Sequence, residues 1–235
     1  MLFRSPLVFA GAVAQQILQE QYGIKIGARI ASLHTISDSD CPDKRQLLTL
    51  KDKPFPVVDD SVGQAMQQCI LQAKENGNSV GGVIECAAFD VPAGLGEPFF
   101  DSVESKVAHM LFSIPAVKGI SFGDGFALAA MTGLEANDQM TMENGQVKLL
   151  SNHNGGINGG ITNGEALILS VAVKPTPTIS IPQQTVNIQT GRALSTASKG
   201  RHDPCILQRA LPVVEGCLAF CLLDFLSACT MDFHK

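Results

Sequence analysis

Hydrophobic positions along the chain follow helix spacing in some stretches and strand spacing in others, without a regular order. Apolar residues at helical spacing predict helices over residues 5–22, 59–76, 101–112 and 212–227. Alternating or continuous apolar runs predict strands over residues 24–34, 79–88, 116–122, 126–131 and 166–173. Because strands and helices do not alternate as they do in a doubly wound fold, the pattern favours an α+β fold. We expect buried helices packed against antiparallel sheets.

Polar stretches and turn residues mark where these elements end. Gly123-Asp124-Gly125 predicts a hairpin between the strands over residues 116–122 and 126–131. Residues 135–149 and 184–198 are polar, and we expect the first of them to be mobile. No tandem repeat is evident, so we interpret residues 1–235 as a single domain.

Composition and charge exclude several function classes. The net charge is −5 and only 17% of residues are charged, with no basic stripe, so no nucleic-acid partner is expected. No apolar run reaches the roughly 18 residues of a membrane span, so no membrane partner is expected either. Seven scattered cysteines without a C-x-x-C pair argue against a disulfide framework and against a metal site. Reduced thiols favour a cytoplasmic location.

Residues 151–180, SNHNGGINGGITNGEALILSVAVKPTPTIS, hold the strongest chemical pattern. Glycine pairs allow backbone to approach a ligand closely. A predicted strand separates them from Lys174-Pro175-Thr176-Pro177-Thr178, which is a rigid turn carrying one cation and two hydroxyls. Together these features predict a wall that holds a flat, anionic ligand. An ordinary glycine-rich turn before a strand is the alternative, because glycine patterns alone are weak signals.

Residues 200–205, GRHDPC, form the second polar cluster. Arg201 offers a planar fork suited to phosphate, and His202 titrates near neutral pH. Pro204 stiffens the loop. The alternative is an ion pair in which Arg201 and Asp203 neutralise each other.

These two motifs, together with their spacing, resemble the chorismate synthase family from about Val8 to Leu226. The resemblance implies a β-α-β sandwich, with helices between two four-stranded sheets, assembled as a cytoplasmic homotetramer. It implies a lyase of the shikimate pathway, in aromatic amino acid biosynthesis. The implied reaction is a 1,4-anti elimination of phosphate from 5-enolpyruvylshikimate 3-phosphate, giving chorismate. Reduced FMN is the implied cofactor, and NADP is associated with the family, although the sequence does not say how the flavin is reduced.

The resemblance also implies roles for particular residues. It makes Asp203 the catalytic candidate and Arg209 the candidate for the anionic substrate. The cofactor-binding candidates are Pro115, Ala116, Gly159, Lys174, Pro175, Thr176, Pro177, Thr178 and Arg201. For Pro115 and Ala116, a turn that leads into a strand is an equally weighted alternative.

Several motifs of the family do not occur in this sequence. They are Gly-Glu-Ser-His-Gly, Pro-Gly-His-Ala-Asp and Arg-Ser-Ser-x-Arg-Glu-Thr, which precede the matched part and include a histidine and several arginines. We therefore expect an N-terminally truncated member of the family. An inactive remnant that binds FMN weakly or serves as a structural subunit is the alternative, and an unrelated flavin-binding module is a third.

Overall fold

The computed structural model describes residues 4–40, 43–143, 145–198, 200 and 202–232. Its α-helices are α1 (Arg4–Ile17), α2 (Leu47–Leu50), α3 (Asp60–Glu75), α4 (Val103–Phe112), α5 (Gly133–Ala136) and α6 (Leu207–Asp232). α1 continues as one π-helical segment, Leu18–Tyr22, and Gly23 ends it in the left-handed conformation. Short 3-10 helices occur at Lys44–Gln46 and Gly125–Ala130.

Five strands form one antiparallel sheet, and three hairpins lie outside it. The strands are β1 (Lys25–Leu33), β2 (Ile36–Ser37), β3 (Gly82–Phe89), β4 (Val117–Phe122), β5 (Met140–Glu143), β6 (Gln146–Leu149), β7 (Ile157–Asn158), β8 (Ile161–Thr162), β9 (Leu167–Val173), β10 (Gln183–Val186) and β11 (Ala193–Thr196). The main sheet has the order β2-β1-β3-β9-β4. The hairpins pair β5 with β6, β7 with β8, and β10 with β11.

Helix α6 packs against the main sheet, and α1 packs on α6. Their backbones touch at two glycines, since a Cβ added to Gly11 would lie 2.2 Å from the Cα of Gly216. At its first residue, α6 packs on the sheet: the Leu207 side chain lies so close to Gly82 that a Cβ there would be 2.7 Å from it. Most of the buried apolar side chains lie in one cluster that these helices share with the strands. The core is therefore a helical layer on one sheet.

The α+β class is confirmed, and the described residues contain two of the expected layers. The main sheet is antiparallel throughout, the long helix α6 is packed against it, and α1 packs on α6. A second four-stranded sheet, expected from the sandwich, does not occur among the described residues. The single-domain interpretation of residues 1–235 stays a prediction.

Two predicted elements are corrected. Residues 126–131 form no strand: most of them lie in a 3-10 helix, and Phe126 is 91% exposed, so a strand there would have no buried face to cover. Alanine-rich sequence also favours helical turns. The last helix begins at Leu207 rather than at Pro212, because the earlier residues Leu207, Ala210 and Leu211 are buried in the core. Residues 140–149, expected to be mobile, carry the β5–β6 hairpin.

α6 is longer than the sequence pattern suggested. Among the described residues it is the one helix with the length and composition to cross a membrane, over Leu207–Ala228. In the fold, however, 67% of an 18-residue window within that stretch is buried inside the protein. Core helices of this kind pass the same test of length and composition.

The glycine contact between α1 and α6 gives a stability prediction. Gly11→Val would force a side chain into the backbone of α6, and we expect it to lower the free energy of unfolding by about 1–3 kcal/mol or more. Ala12→Val, on the exposed face of the same helix, is the matched control and should change it by less than about 1 kcal/mol. Chemical denaturation measures both. Equal effects of the two substitutions would show that the close contact is not needed.

Candidate active site

Two of the predicted cofactor-binding segments meet at one end of the main sheet. β9 ends at Val173, and the backbone N–H of Lys174 donates to the carbonyl oxygen of Ala116 at 2.9 Å. Ala116 has a φ of 78°, which is uncommon for a residue with a Cβ, as the chain turns from the exposed Pro115 into β4. Pairing of Val117 with Val173 fixes this arrangement. Pro115 and Ala116 therefore lie beside Lys174.

The turn after β9 is held against the start of β3 by two close contacts. A Cβ on Gly81 would lie 2.3 Å from the carbonyl oxygen of Val173 and 2.9 Å from the Cδ of Pro175, so only glycine allows this approach. The Ser79 hydroxyl donates to the carbonyl oxygen of Thr176 at 2.7 Å. The first half of the Lys-Pro-Thr-Pro-Thr turn is thus fixed on the sheet.

Thr176 carries an unsatisfied polar group within this turn. Its Oγ1 is buried and has no hydrogen-bond partner in the part of the chain that the structure describes. A buried polar group without a partner costs about 1–3 kcal/mol, so such groups are uncommon. The neighbouring Lys174, Pro177 and Thr178 are exposed. An accessible cation beside an unpaired hydroxyl suits a ligand that brings an anion and its own polar groups.

The loop that carries Asp203 reaches the same end of the sheet. The backbone N–H of Val80 donates to the carbonyl oxygen of Pro204 at 2.8 Å. Ser79, which precedes Val80, is the residue whose hydroxyl donates to the carbonyl oxygen of Thr176. Two consecutive residues therefore tie the Asp203 loop and the turn after β9 together.

Asp203 forms an ion pair with Arg209. A guanidinium nitrogen of Arg209 lies 2.5 Å from a carboxylate oxygen of Asp203, and the two side chains are 44% and 48% exposed. Exposed pairs of this kind add little stability, so the contact serves mainly to orient the carboxylate. The guanidinium has five N–H donors, which leaves others for an anion. Arg201, a predicted cofactor contact, lies outside the described residues.

Gly159 does not join this cluster within one chain. The glycine-rich loop lies at the opposite end of β9, where the N–H of Ile168 donates to the carbonyl oxygen of Gly155 at 3.1 Å. Seven strand residues separate the two ends, a span of roughly 20 Å. Gly159 itself is exposed. Its φ is 59°, and no atom lies within 4 Å of the position that a Cβ would occupy. The predicted wall is therefore two separate surfaces, with Lys174 on one and Gly159 on the other.

Asp138 anchors the glycine-rich loop, and sequence reasoning missed it. Its carboxylate accepts hydrogen bonds from the Ser151 hydroxyl at 2.7 Å, the His153 N–H at 2.7 Å and the Asn154 side chain at 2.8 Å. Burial alone would raise the pKa of Asp138, but these hydrogen bonds outweigh it and lower the pKa below its ordinary value. Asp138 stands in a polar stretch without a motif, so the sequence gives no signal for this role.

Comparison with known proteins identifies the family. The family model described as chorismate synthase matches residues 4–227. A chorismate synthase of Acaryochloris marina is 43% identical over 220 residues, which are 93% of this chain and 60% of that protein. One of Korarchaeum cryptofilum is 42% identical over 224 residues, with the same coverage. A crystal structure of chorismate synthase superposes with a TM-score of 0.78 at 29% identity, covering 95% of this chain and 62% of the other.

The chain therefore belongs to the chorismate synthase family. It spans about 60% of the length of the curated relatives that it matches.

The anchoring role of Asp138 gives the second prediction. Asp138→Asn keeps the size but weakens several hydrogen bonds to a buried carboxylate, and we expect a loss of about 1–3 kcal/mol in unfolding free energy at neutral pH. Because the folded-state pKa is lowered, this contribution is present at neutral pH and disappears as the pH falls through that pKa. The difference between variant and parent should therefore shrink in acid.

Urea denaturation at neutral and acidic pH measures the effect. Glu143→Gln removes another carboxylate of the same region, which is 57% exposed and paired with Lys148, and should cost less than about 1 kcal/mol. A pH-independent loss in Asp138→Asn would contradict the assignment.

Proposed function

We propose that this chain acts in the chorismate synthase reaction, the 1,4-anti elimination of phosphate from 5-enolpyruvylshikimate 3-phosphate to give chorismate. That reaction makes it a carbon–oxygen lyase of aromatic amino acid biosynthesis. The observation that carries the proposal is the meeting of Lys174, Ala116 and the Thr176 hydroxyl with the Asp203 loop, in a chain of this family. Among the described residues that hydroxyl has no hydrogen-bond partner.

Residues of the turn after β9 fit one part of a reduced FMN. The ammonium of Lys174 suits a phosphate as a point charge, and the Thr176 hydroxyl, which lacks a partner in the described structure, suits a phosphate or ribityl oxygen. Thr178 adds an exposed hydroxyl, and Pro175 and Pro177 keep the backbone of the turn rigid. Pro115 and Ala116 form the adjoining edge of the site. When bound, reduced FMN would supply electron density that helps the phosphate of the substrate to leave.

Asp203 and Arg209 supply the second part of the proposed site. Arg209 holds the carboxylate of Asp203 in one orientation, in which it can take or return a proton. The remaining N–H donors of Arg209 can bind an anionic group of the substrate. By family resemblance, Arg201 also faces the cofactor. Orientation of this kind lowers the barrier because donors are in place before charge develops.

Gly159 can complete this site only from a second copy of the chain. Within one chain it belongs to the loop at the far end of β9, a strand that spans roughly 20 Å, yet its backbone is exposed and open to a close approach. Assembly as a homotetramer, which the family resemblance implies, would bring such a loop to a neighbour's cluster. We propose this assembly and a cytoplasmic location, with NADP among the nucleotides to test as a source of reducing equivalents. Light scattering after size-exclusion chromatography measures the assembly.

The comparisons favour the enzyme over an inactive remnant, because both curated relatives named above are described as chorismate synthases. In one assay, the inactive remnant and the unrelated flavin-binding module predict a different result from the enzyme. The purified 235-residue chain is mixed with reduced FMN and the shikimate ester, and phosphate release is followed. Turnover at ordinary enzyme rates supports the proposal, and no release with FMN bound supports the remnant.

Thr176→Val tests the cofactor site independently of turnover. Valine has nearly the same shape without the hydroxyl, so the free chain should be as stable as the parent or more stable, because a buried group without a partner is removed. FMN affinity should nevertheless fall by about tenfold, the loss of one hydrogen bond. Flavin fluorescence titration measures affinity, and thermal unfolding measures stability.

Lys174→Ala should weaken FMN binding further, and Lys118→Ala provides its control. Lys118 is an exposed lysine on the neighbouring strand β4, so its substitution by alanine changes the net charge by the same amount as Lys174→Ala does. If Thr176→Val and Lys174→Ala both bind FMN like the parent, the cofactor lies elsewhere, whatever the result of the phosphate assay.

A further inference from the structure

A separate cavity of about 320 Å³ opens at the other end of the sheet. It lies where the π-helical segment leads into β1, and Lys25, which pairs with Phe89, is at its edge. The candidate active site lies near Gly82, at the opposite end of the same strand pair. This volume is at the small end of ligand pockets, so it suits a small molecule. The cavity takes no part in the proposed elimination.

One carboxyl group, that of Glu215 on α6, stands inside this cavity. The backbone N–H of Ala28 donates to it, and Lys51 is the nearby cation. Burial raises the pKa of Glu215 to about 7, although the Ala28 hydrogen bond and Lys51 oppose the change. Burying a carboxylate that forms no ion pair costs free energy, so this site would favour a ligand that carries a cation.

Two ammonium groups stand at the rim of the same cavity. Lys25 comes from the start of β1 and Lys51 follows α2, and both are exposed. Neither lies within 4 Å of a carboxylate in the part of the chain that the structure describes. Two accessible cations near each other attract an anionic group.

An apolar wall completes the cavity. Ile24 is 1% exposed, and Ile26 and Leu48 are half-buried beside it. Gln15 and Gln19 of the first helical segment contribute uncharged amides on the other side. The cavity therefore offers an anion site, a cation site and an apolar surface within one small volume.

We propose that this cavity binds a free α-amino acid with an apolar side chain. Its ammonium group would face Glu215, and its carboxylate would face Lys25 and Lys51. Its side chain would pack on Ile24 and Leu48. A simple carboxylic acid satisfies the lysines but brings a second negative charge towards Glu215, and a simple amine leaves the lysines without an anion. The zwitterion is the ligand class that pairs every charged group.

This assignment predicts the direction of pH dependence. Glu215 must be ionised to hold an ammonium group, so amino acid affinity should rise with pH up to about 7 and then level off. A carboxylic acid without the ammonium should show the opposite trend, because neutral Glu215 repels it less. Lys51 is the cation that acts on Glu215, and Lys25 lines the same cavity. The pKa of the Cys86 thiol in β3 is raised well above its ordinary value, so that thiol stays neutral.

Isothermal titration with L-leucine and with 4-methylpentanoate, at about pH 5.5 and about pH 8, tests the proposal. The two probes share a side chain and a carboxylate and differ in the ammonium group. We expect leucine to bind at least about tenfold more tightly at the higher pH, since most of Glu215 is protonated at the lower one. We expect 4-methylpentanoate to bind more weakly at the higher pH.

Two variants connect the result to the cavity. Glu215→Gln should abolish the pH dependence of leucine binding, and Lys51→Gln, at an exposed position, should weaken both probes at both pH values. Thermal unfolding checks that each variant is folded. The proposal is overturned if leucine does not bind at either pH, if both probes show the same pH trend, or if Lys51→Gln binds leucine like the parent.

Discussion

β9 is the strand on which the rest of the molecule depends. It is paired on both sides, with β3 and with β4, and every second residue is buried: Leu167, Leu169, Val171 and Val173. A strand with one buried face has a fixed register, because a slip by one residue would turn the apolar side chains away from the core. That register sets where the glycine-rich loop enters the sheet and where the Lys-Pro-Thr-Pro-Thr turn leaves it. The two candidate ligand-contacting surfaces are therefore held at a fixed separation.

A buried charge network gives the opposite side of the sheet its own constraint. Arg29 of β1 is 4% exposed and donates to Asp38 at 2.9 Å, with Glu85 of β3 at 3.4 Å. Asp38 also accepts from the N–H groups of Val58 and Asp59, just before α3 begins. Such networks add little net stability, but removing one member leaves a buried charge without a partner. The network therefore fixes the position of α3 relative to β1.

Most of the long elements could be predicted from the sequence, because their apolar spacing is strong. The strand over residues 166–173 and the helix over 59–76 match β9 and α3 within a few residues. The 3-10 helix near Phe126 could not be predicted, because an apolar run does not reveal that its side chains face solvent. The extra turns of α6 before Pro212 could not be predicted either, because core packing outweighs the usual position of proline.

The candidate site was predictable in part. Spacing and composition marked the turn after β9 and the Asp203 loop, and the fold brings both to one sheet end. The distance between Gly159 and Lys174 was not predictable, because both flank one strand and the sequence does not show that the strand keeps them apart. The pairing of Asp203 with Arg209 also depends on how the loop meets α6, which is a tertiary contact.

The glycine contact between α1 and α6 has a consequence for how the protein is made. The two helices are distant in sequence and all strands of the main sheet lie between them, so their contact cannot form before α6 has been synthesised. Contacts between sequence-distant segments slow folding, and apolar surface stays open to solvent in the meantime. Until α6 has been synthesised, the sheet face that it covers stays exposed to solvent, which makes the nascent chain a natural client for chaperones.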